Sequence, residues 1–229
     1  MLIDRKECLR YILSMQFDTY MLEQAALIGG MAGLAYLLGA IPTGYLLARF
    51  KGIDIRKVGS VNIGATNVYR CVGKSWGILT FVFDFLKGYL SAALLPLLVQ
   101  CWANESYGVS FSVLFGCLAV AGHNWPVYLR FRGGKGMATG AGALLGFAPL
   151  VMLIGVVSWV IFFLVTRYVS LSSMLAAMVI AVSAWPLYAG HRLIPVTLTI
   201  MCAVIIWRHK SNIQRLLSGT EHRFEFRKK

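Results

Sequence analysis

Acidic side chains are scarce in this chain, with nine Asp and Glu against 22 Lys and Arg among 229 residues. The shortage argues against paired-carboxylate acid–base chemistry, and no second carboxylate accompanies a His at metal or triad spacing. The five cysteines (Cys8, Cys71, Cys101, Cys117, Cys202) form no C-x-x-C pair, which argues against a disulfide framework or a zinc site. No G-x-S-x-G elbow is present, so a serine nucleophile of that type is not indicated. Linkers rich in Pro and Ser, low-complexity segments and internal repeats are missing too, so one compact bundle is expected. Charge of either sign is low, at 14% of residues where a soluble domain carries about 25%.

What fills the space is apolar: 58% of the residues are hydrophobic, in runs near 25–48, 76–100, 109–129, 138–166, 169–188 and 193–207. A bilayer crossing needs roughly 20 helical residues, which predicts an all-α polytopic membrane protein. The run 138–166 is long for one crossing, and Pro149 lies at its middle among Gly140, Gly142, Gly146 and Gly155. Proline breaks a helix and glycine permits a tight return, so a hairpin of two short helices is expected there, giving about seven spans.

The net charge of +13 would ordinarily suggest nucleic acid. Here the positive residues adjoin apolar runs, so topology signals and anionic ligands explain them better, and no nucleic-acid partner is expected. With the segment after the first span placed in the cytoplasm, all Lys and Arg but Arg5, Lys6, Arg10, Lys87 and Arg192 face that side. The C-terminus is then cytoplasmic and the N-terminus outside. Residues 1–24 carry Asp4, Arg5, Lys6, Glu7 and Arg10 and read as an uncleaved amphipathic leader. Residues 25–221 form the membrane-embedded domain, and 222–229 a basic cytoplasmic tail.

Four polar segments fall on the cytoplasmic side. The first, Gly59–Arg70, packs Ser60, Asn62, Thr66 and Asn67 between spans, either as a turn capped by Ser60 or Asn62 or as a phosphate site. The second, Gly122–Gly140, joins Arg130, Arg132 and Lys135 to Gly133, Gly134 and Gly136. Glycines let backbone N–H groups approach a ligand, which suits a phosphate, although Walker spacing is absent. The third, Arg167–Ser173, offers Ser170 and Ser173 at a helix start, where serines ordinarily cap. In the fourth, Trp207–Glu221, His209, Asn212 and Arg215 or Gln214 share a helix face. Within a span, Asp84 and Lys87 at i, i+3 read as a self-neutralising structural pair, and His123 as a packed or interfacial histidine.

No His is followed by Asp five residues on, so the H-x-x-x-x-D pattern of thioester-dependent glycerolipid acyltransferases is absent. Cations, hydroxyls and amides without a strong base suit an already activated substrate such as an acyl phosphate. From about residue 30 to Glu221 the chain strongly resembles the PlsY family, the acyl-phosphate:glycerol-3-phosphate acyltransferases of bacterial inner membranes. The resemblance rests on Gly59-Ser60 through Arg70, Gly122-His-Asn-Trp-Pro through Gly136, Asp84…Lys87-Gly88, and His209 with Asn212-Ile-x-Arg-Leu-x-x-Gly-x-Glu221. Val61, where the family often has Gly, and Lys210-Ser211 are departures.

The resemblance implies transfer of a fatty acyl group from acyl phosphate to the sn-1 hydroxyl of glycerol 3-phosphate, giving 1-acyl-glycerol 3-phosphate and phosphate. It implies no cofactor or metal. Ser60, Arg70, His209 and Asn212 would be catalytic, and Lys135 with Gly133, Gly134 and Gly136 would bind glycerol 3-phosphate. Asn62, Thr66, Asn67, Ser170 and Ser173 would complete the pocket. The expected location is the bacterial inner membrane, among lipids, with an acyl-phosphate-producing enzyme as a further partner. The competing class is a transporter or channel for organic phosphates. Direct transfer and a Ser60 acyl-enzyme both remain open chemically.

Overall fold

This computed structural model describes residues 5–103 and 108–225, with side chains placed from Met15 onward apart from Phe17. Among the described residues every regular element is a helix, and there is no strand. The first helix, α1 (Arg5–Ala40), runs without a break across the expected leader boundary at residue 24. The leader's charged side chains, from Asp4 to Arg10, lie outside the described ones. The last four residues of the basic tail, and 104–107 of the turn 101–108, also lie outside.

The expected first span, 25–48, is not one helix. Helix α1 ends at Ala40, and Pro42, which has no N–H to continue a helix, precedes the short α2 (Thr43–Phe50). After a loop come α3 (Ala65–Cys71) and α4 (Lys74–Tyr89). A π turn at Leu90–Leu94 then leads into α5 (Leu95–Ala103). That turn lies just before Pro96, whose missing N–H disturbs the regular ladder.

The second half holds α6 (Gly108–Asn124), α7 (Met137–Phe147), α8 (Pro149–Thr166), α9 (Val169–Leu187), α10 (Leu193–Arg208) and α11 (Lys210–Leu217). The long run does break at Pro149, which takes the first position of α8 while Ala148 leaves helical geometry at φ −144°. The halves are unequal, with 11 residues in α7 and 18 in α8. By length and composition, four helices can cross a membrane, or five if α10 and α11, bent by 56°, form one span. Leu153, Ile161, Leu164 and Val165 of α8 stay exposed, as lipid-facing residues do.

Small residues bring the helices close, as in membrane bundles. Gly39 on α1 abuts the backbone at Ala119 of α6, and Gly88 on α4 abuts the backbone at Thr139 of α7. A side chain at either position would collide with main chain. One core cluster joins Ala92 of the π turn, Val113 of α6, Ala143, Leu144 and Phe147 of α7, Ala184 of α9, and Ile194 and Leu198 of α10.

The expected Asp84–Lys87 pair is formed at 2.7 Å, and both residues are buried. It is larger than the spacing suggested. Thr43 Oγ1 at the start of α2 donates to Asp84 Oδ1, and Lys87 Nζ donates to the Ile41 carbonyl beyond α1. His123, read as packed or interfacial, is buried and brings Nδ1 within 3.6 Å of the same carboxylate. Asp84 thus ties α2, α4 and α6 together beside the break that follows α1.

Candidate active site

The first polar loop folds around Asn67. Its Nδ2 lies within hydrogen-bonding distance of the carbonyls of Ile55, Val58 and Asn62 at 3.3, 3.1 and 2.9 Å, and its Oδ1 accepts the Ser60 N–H at 2.9 Å. Asn67 is 3% exposed, so its amide organises the loop from within. Gly59 passes over it at φ 58°, where an added Cβ would strike Asn67 Oδ1 and Cys71 Sγ. Val61 also adopts a left-handed φ, 52°, which a β-branched residue tolerates poorly. This is the position at which the family resemblance favours glycine.

The capping expectation needs correcting. Helix α3 is capped by Gly64, not by Ser60 or Asn62, and Asn62 Oδ1 instead accepts the Gly64 N–H at 2.9 Å. Among the described residues Ser60 Oγ makes no hydrogen bond, and Thr66 is exposed. Arg70 lies in the last turn of α3, half-buried. Burial lowers its pKa, with Glu221 opposing the shift and Arg215 adding to it.

In the glycine segment two carbonyls are held from outside. Arg208 reaches back from the end of α10 and donates to the Gly133 carbonyl at 2.8 Å and to the Gly134 carbonyl at 2.6 and 3.0 Å. The Gly134 N–H donates to the His123 carbonyl at 3.1 Å. The glycines are needed because the segment lies flat on α6: a Cβ on Gly133 would strike the His123 carbonyl, and one on Gly134 the His123 ring. Carbonyls held by Arg208 fix this loop. Gly136, at φ 80°, caps α7. Arg130 and Arg132 stay exposed at its rim, and Lys135 turns inward.

Lys135 Nζ donates to Asn212 Oδ1 on α11. Asn212 Nδ2 donates to Glu221 Oε1 at 2.8 Å, and Ser170 Oγ at the start of α9 donates to that same oxygen at 2.6 Å. Arg215 Nε donates to Glu221 Oε2 at 2.7 Å. His209, at the break between α10 and α11, is buried with Nδ1 2.8 Å from the Ile205 carbonyl. Of the expected face, Asn212 and Arg215 both reach Glu221, while His209 bonds back to Ile205 of α10.

The serines of α9 do not cap it. Ser173 Oγ donates to the Val169 carbonyl and accepts from Trp159 Nε1, joining α8 to α9 and not to the polar cluster. Ser170 alone of the two expected serines enters that cluster.

Burial pushes the Lys135 ammonium down to about 8; Arg215, Arg208 and Arg70 push the same way, and Glu221 opposes them. Burial would raise Glu221, but hydrogen bonds from Ser170, Asn212 and Arg215 outweigh it and hold the carboxyl below its usual value. The cluster therefore gathers more positive charge than Glu221 neutralises, in a partly desolvated place, which is what binding a phosphate needs. Glu221 and Arg208 were missing from the expected site. The signals for them are the end of the motif Asn212-Ile-x-Arg-Leu-x-x-Gly-x-Glu221, and an arginine next to His209.

The family model of glycerol-3-phosphate acyltransferases matches residues 30–219. The glycerol-3-phosphate acyltransferase of Desulforamulus reducens is 46% identical over 190 residues, covering 82% of this chain and 90% of its own. That of Aquifex aeolicus is 43% identical over 194 residues, covering 83% and 95%. Among solved structures, the glycerol 3-phosphate form of PlsY, an integral membrane glycerol 3-phosphate acyltransferase, is 39% identical. It superposes with a TM-score of 0.77, covering 86% of this chain and 96% of that one. Its lysophosphatidic acid form gives 0.74 at the same identity. With its close-packed membrane helices and phosphate-suited cluster, the chain belongs to the glycerol-3-phosphate acyltransferase family of membrane enzymes.

Proposed function

We propose that the protein moves a fatty acyl group from acyl phosphate to the sn-1 hydroxyl of glycerol 3-phosphate. The observation that carries this reading is the Lys135–Asn212–Glu221–Ser170 cluster, with Arg70, Arg208 and Arg215 around it. Relatives named for glycerol 3-phosphate, and a solved relative with glycerol 3-phosphate and lysophosphatidic acid forms, support the acceptor and product.

The acceptor's hydroxyl oxygen attacks the acyl carbonyl carbon, and the bond from that carbon to the phosphate oxygen breaks. The departing phosphate takes the hydroxyl proton, so the products are 1-acyl-glycerol 3-phosphate and inorganic phosphate. Two phosphorylated substrates bring roughly four negative charges near neutral pH, by analogy with phosphate monoesters. Lys135, Arg70 and Arg215 offset them, Lys135 gripping the acceptor's phosphate. Ser60 and His209 orient the reacting groups. Among the described residues no His or carboxylate hydrogen-bonds Ser60 Oγ, which favours direct transfer over a Ser60 acyl-enzyme.

The arrangement in the membrane follows from charge. Spans at α1, α4–α5, α6, α7, α8, α9 and α10 give seven crossings, with the N-terminus outside and the cluster and C-terminus on the cytoplasmic side of the inner membrane. An acyl-phosphate-producing enzyme supplies the donor from that side. The test is the purified full chain in lipid with acyl phosphate and glycerol 3-phosphate. Lysophosphatidate and phosphate should appear in equal amounts. Neither product appearing overturns the reading, and uptake of glycerol 3-phosphate into sealed vesicles without product would mark a transporter instead.

A further inference from the structure

A carboxylate at the centre of a site meant for phosphate repels its ligand, so Glu221 needs a reason to be there. Both its oxygens are engaged: Oε1 accepts from Ser170 and Asn212, and Oε2 from Arg215. Ser170 and the Asn212 amino group are thereby committed to Glu221. Lys135 and Arg215 keep further N–H groups, because an ammonium has three donors and a guanidinium five.

The carboxylate is aimed by a helix ending. Gly219, at φ 70°, sends its N–H to the Leu216 carbonyl at 3.2 Å, and the Thr220 N–H reaches the Arg215 carbonyl at 2.8 Å. These two bonds form a Schellman motif, which reverses the chain at the end of α11. The Glu221 N–H joins the same Arg215 carbonyl at 3.0 Å, so the side chain points back along α11. Three residues on, the Phe224 N–H donates to the Arg167 carbonyl at 2.8 Å, and its ring packs against Tyr69 and Phe163. The strap is pinned on both sides of Glu221.

We infer that Glu221 is the positioning residue of the acceptor-phosphate pocket, orienting Asn212 so that its carbonyl oxygen faces Lys135 while anchoring Ser170 and Arg215 directly. A primary amide offers nitrogen on one side and oxygen on the other. With the nitrogen drawn to Glu221, the oxygen must meet the ammonium. Without the carboxylate, the amide is free to turn its N–H groups toward Lys135, and the ammonium loses its place. This inference rests on the proposed function, since it assigns a role within that pocket.

The test is Glu221→Gln in the full chain in lipid, with Gly219→Ala as a second variant that keeps the carboxylate but strains its aim. The charged groups around Lys135 are Glu221 and Arg215 on the α11 side, Arg208 and His209 at the end of α10, and Arg70 on α3. Removing the one acid leaves the cations. E221Q should raise KM for glycerol 3-phosphate roughly tenfold, the scale of one charge-assisted hydrogen bond, with a smaller loss in kcat. The alkaline limb of kcat/KM should also move down by about half a pH unit to one unit. A merely structural glutamate would lower the melting temperature without moving that limb. G219A should raise KM in the same direction, by less.

An E221Q enzyme with unchanged KM and an unchanged limb overturns the inference. If E221Q does not fold, an unchanged KM in G219A overturns it equally. Wild type that fails to turn over glycerol 3-phosphate counts against the proposed function, not against the role of Glu221.

Discussion

Two buried carboxylates organise this protein, and they are surrounded differently. Asp84 meets one lysine, one hydroxyl and one imidazole inside the bundle, and its side chain and that of Lys87 are 3% and 6% exposed. Glu221 also meets an arginine, a hydroxyl and an amide, but Lys135, Arg70 and Arg208 stand around it without acids of their own. The first set is electrically closed and the second keeps a positive surplus. A closed set holds helices together, and a surplus in a desolvated place is a demand for an anion.

The comparison breaks most visibly at Asp84. Asp84→Ala strands the Lys87 ammonium in the bundle, and leaving a buried charge unpaired costs about 3–5 kcal/mol. The expected result is a large fall in melting temperature or in folded yield in detergent. A variant that melts like wild type would show that the set is not closed. Lys135→Ala should act on binding instead, raising KM for glycerol 3-phosphate by roughly a hundredfold if the lost interaction is worth about 2–3 kcal/mol. Steady-state kinetics at saturating donor would check it, and an unchanged KM would remove Lys135 from the phosphate.

The surplus should also be visible in pH. The Lys135 ammonium is lost as pH rises through about 8, so affinity for glycerol 3-phosphate is full below that value and falls above it. KM should climb about tenfold per unit beyond the limb. Glu221, held below its usual value, stays ionised through neutrality and contributes no limb there. A flat KM from about pH 7 to 10 would contradict the lysine's role. The smallest expected effect is at Val61, whose left-handed backbone costs about 1–2 kcal/mol, partly offset by the greater freedom of glycine when unfolded. Val61→Gly should raise stability by about 0.5 kcal/mol net, read as a slightly higher melting temperature with unaltered KM.

Much of the fold was legible because its signals are local. Apolar runs marked most of the helices, and Pro149 marked the break between α7 and α8. Pro42 carried the same signal inside the run 25–48, yet uninterrupted hydrophobicity concealed the end of α1 at Ala40. The polar segments were legible as a group, and Lys135, Asn212 and Ser170 do come together. Asn67 and Ser173 were expected in the pocket, but their side chains are committed to the loop and to α8. A polar residue type shows that a partner must exist, not which partner it is. Gly133 and Gly134 also allow close packing on His123, a contact that residue type alone does not record.

The sequence by itself determined the class of molecule, through low charge and long apolar runs of the kind a bilayer requires. Its local motifs carried the family. The tertiary structure decided how the few acids are shared. Lys135 and Asn212 meet across 77 residues, and Ser170 and Glu221 across 51. No periodicity records such pairings, because electrostatic and hydrogen-bond energies depend on distance in space, and only helix packing sets that distance.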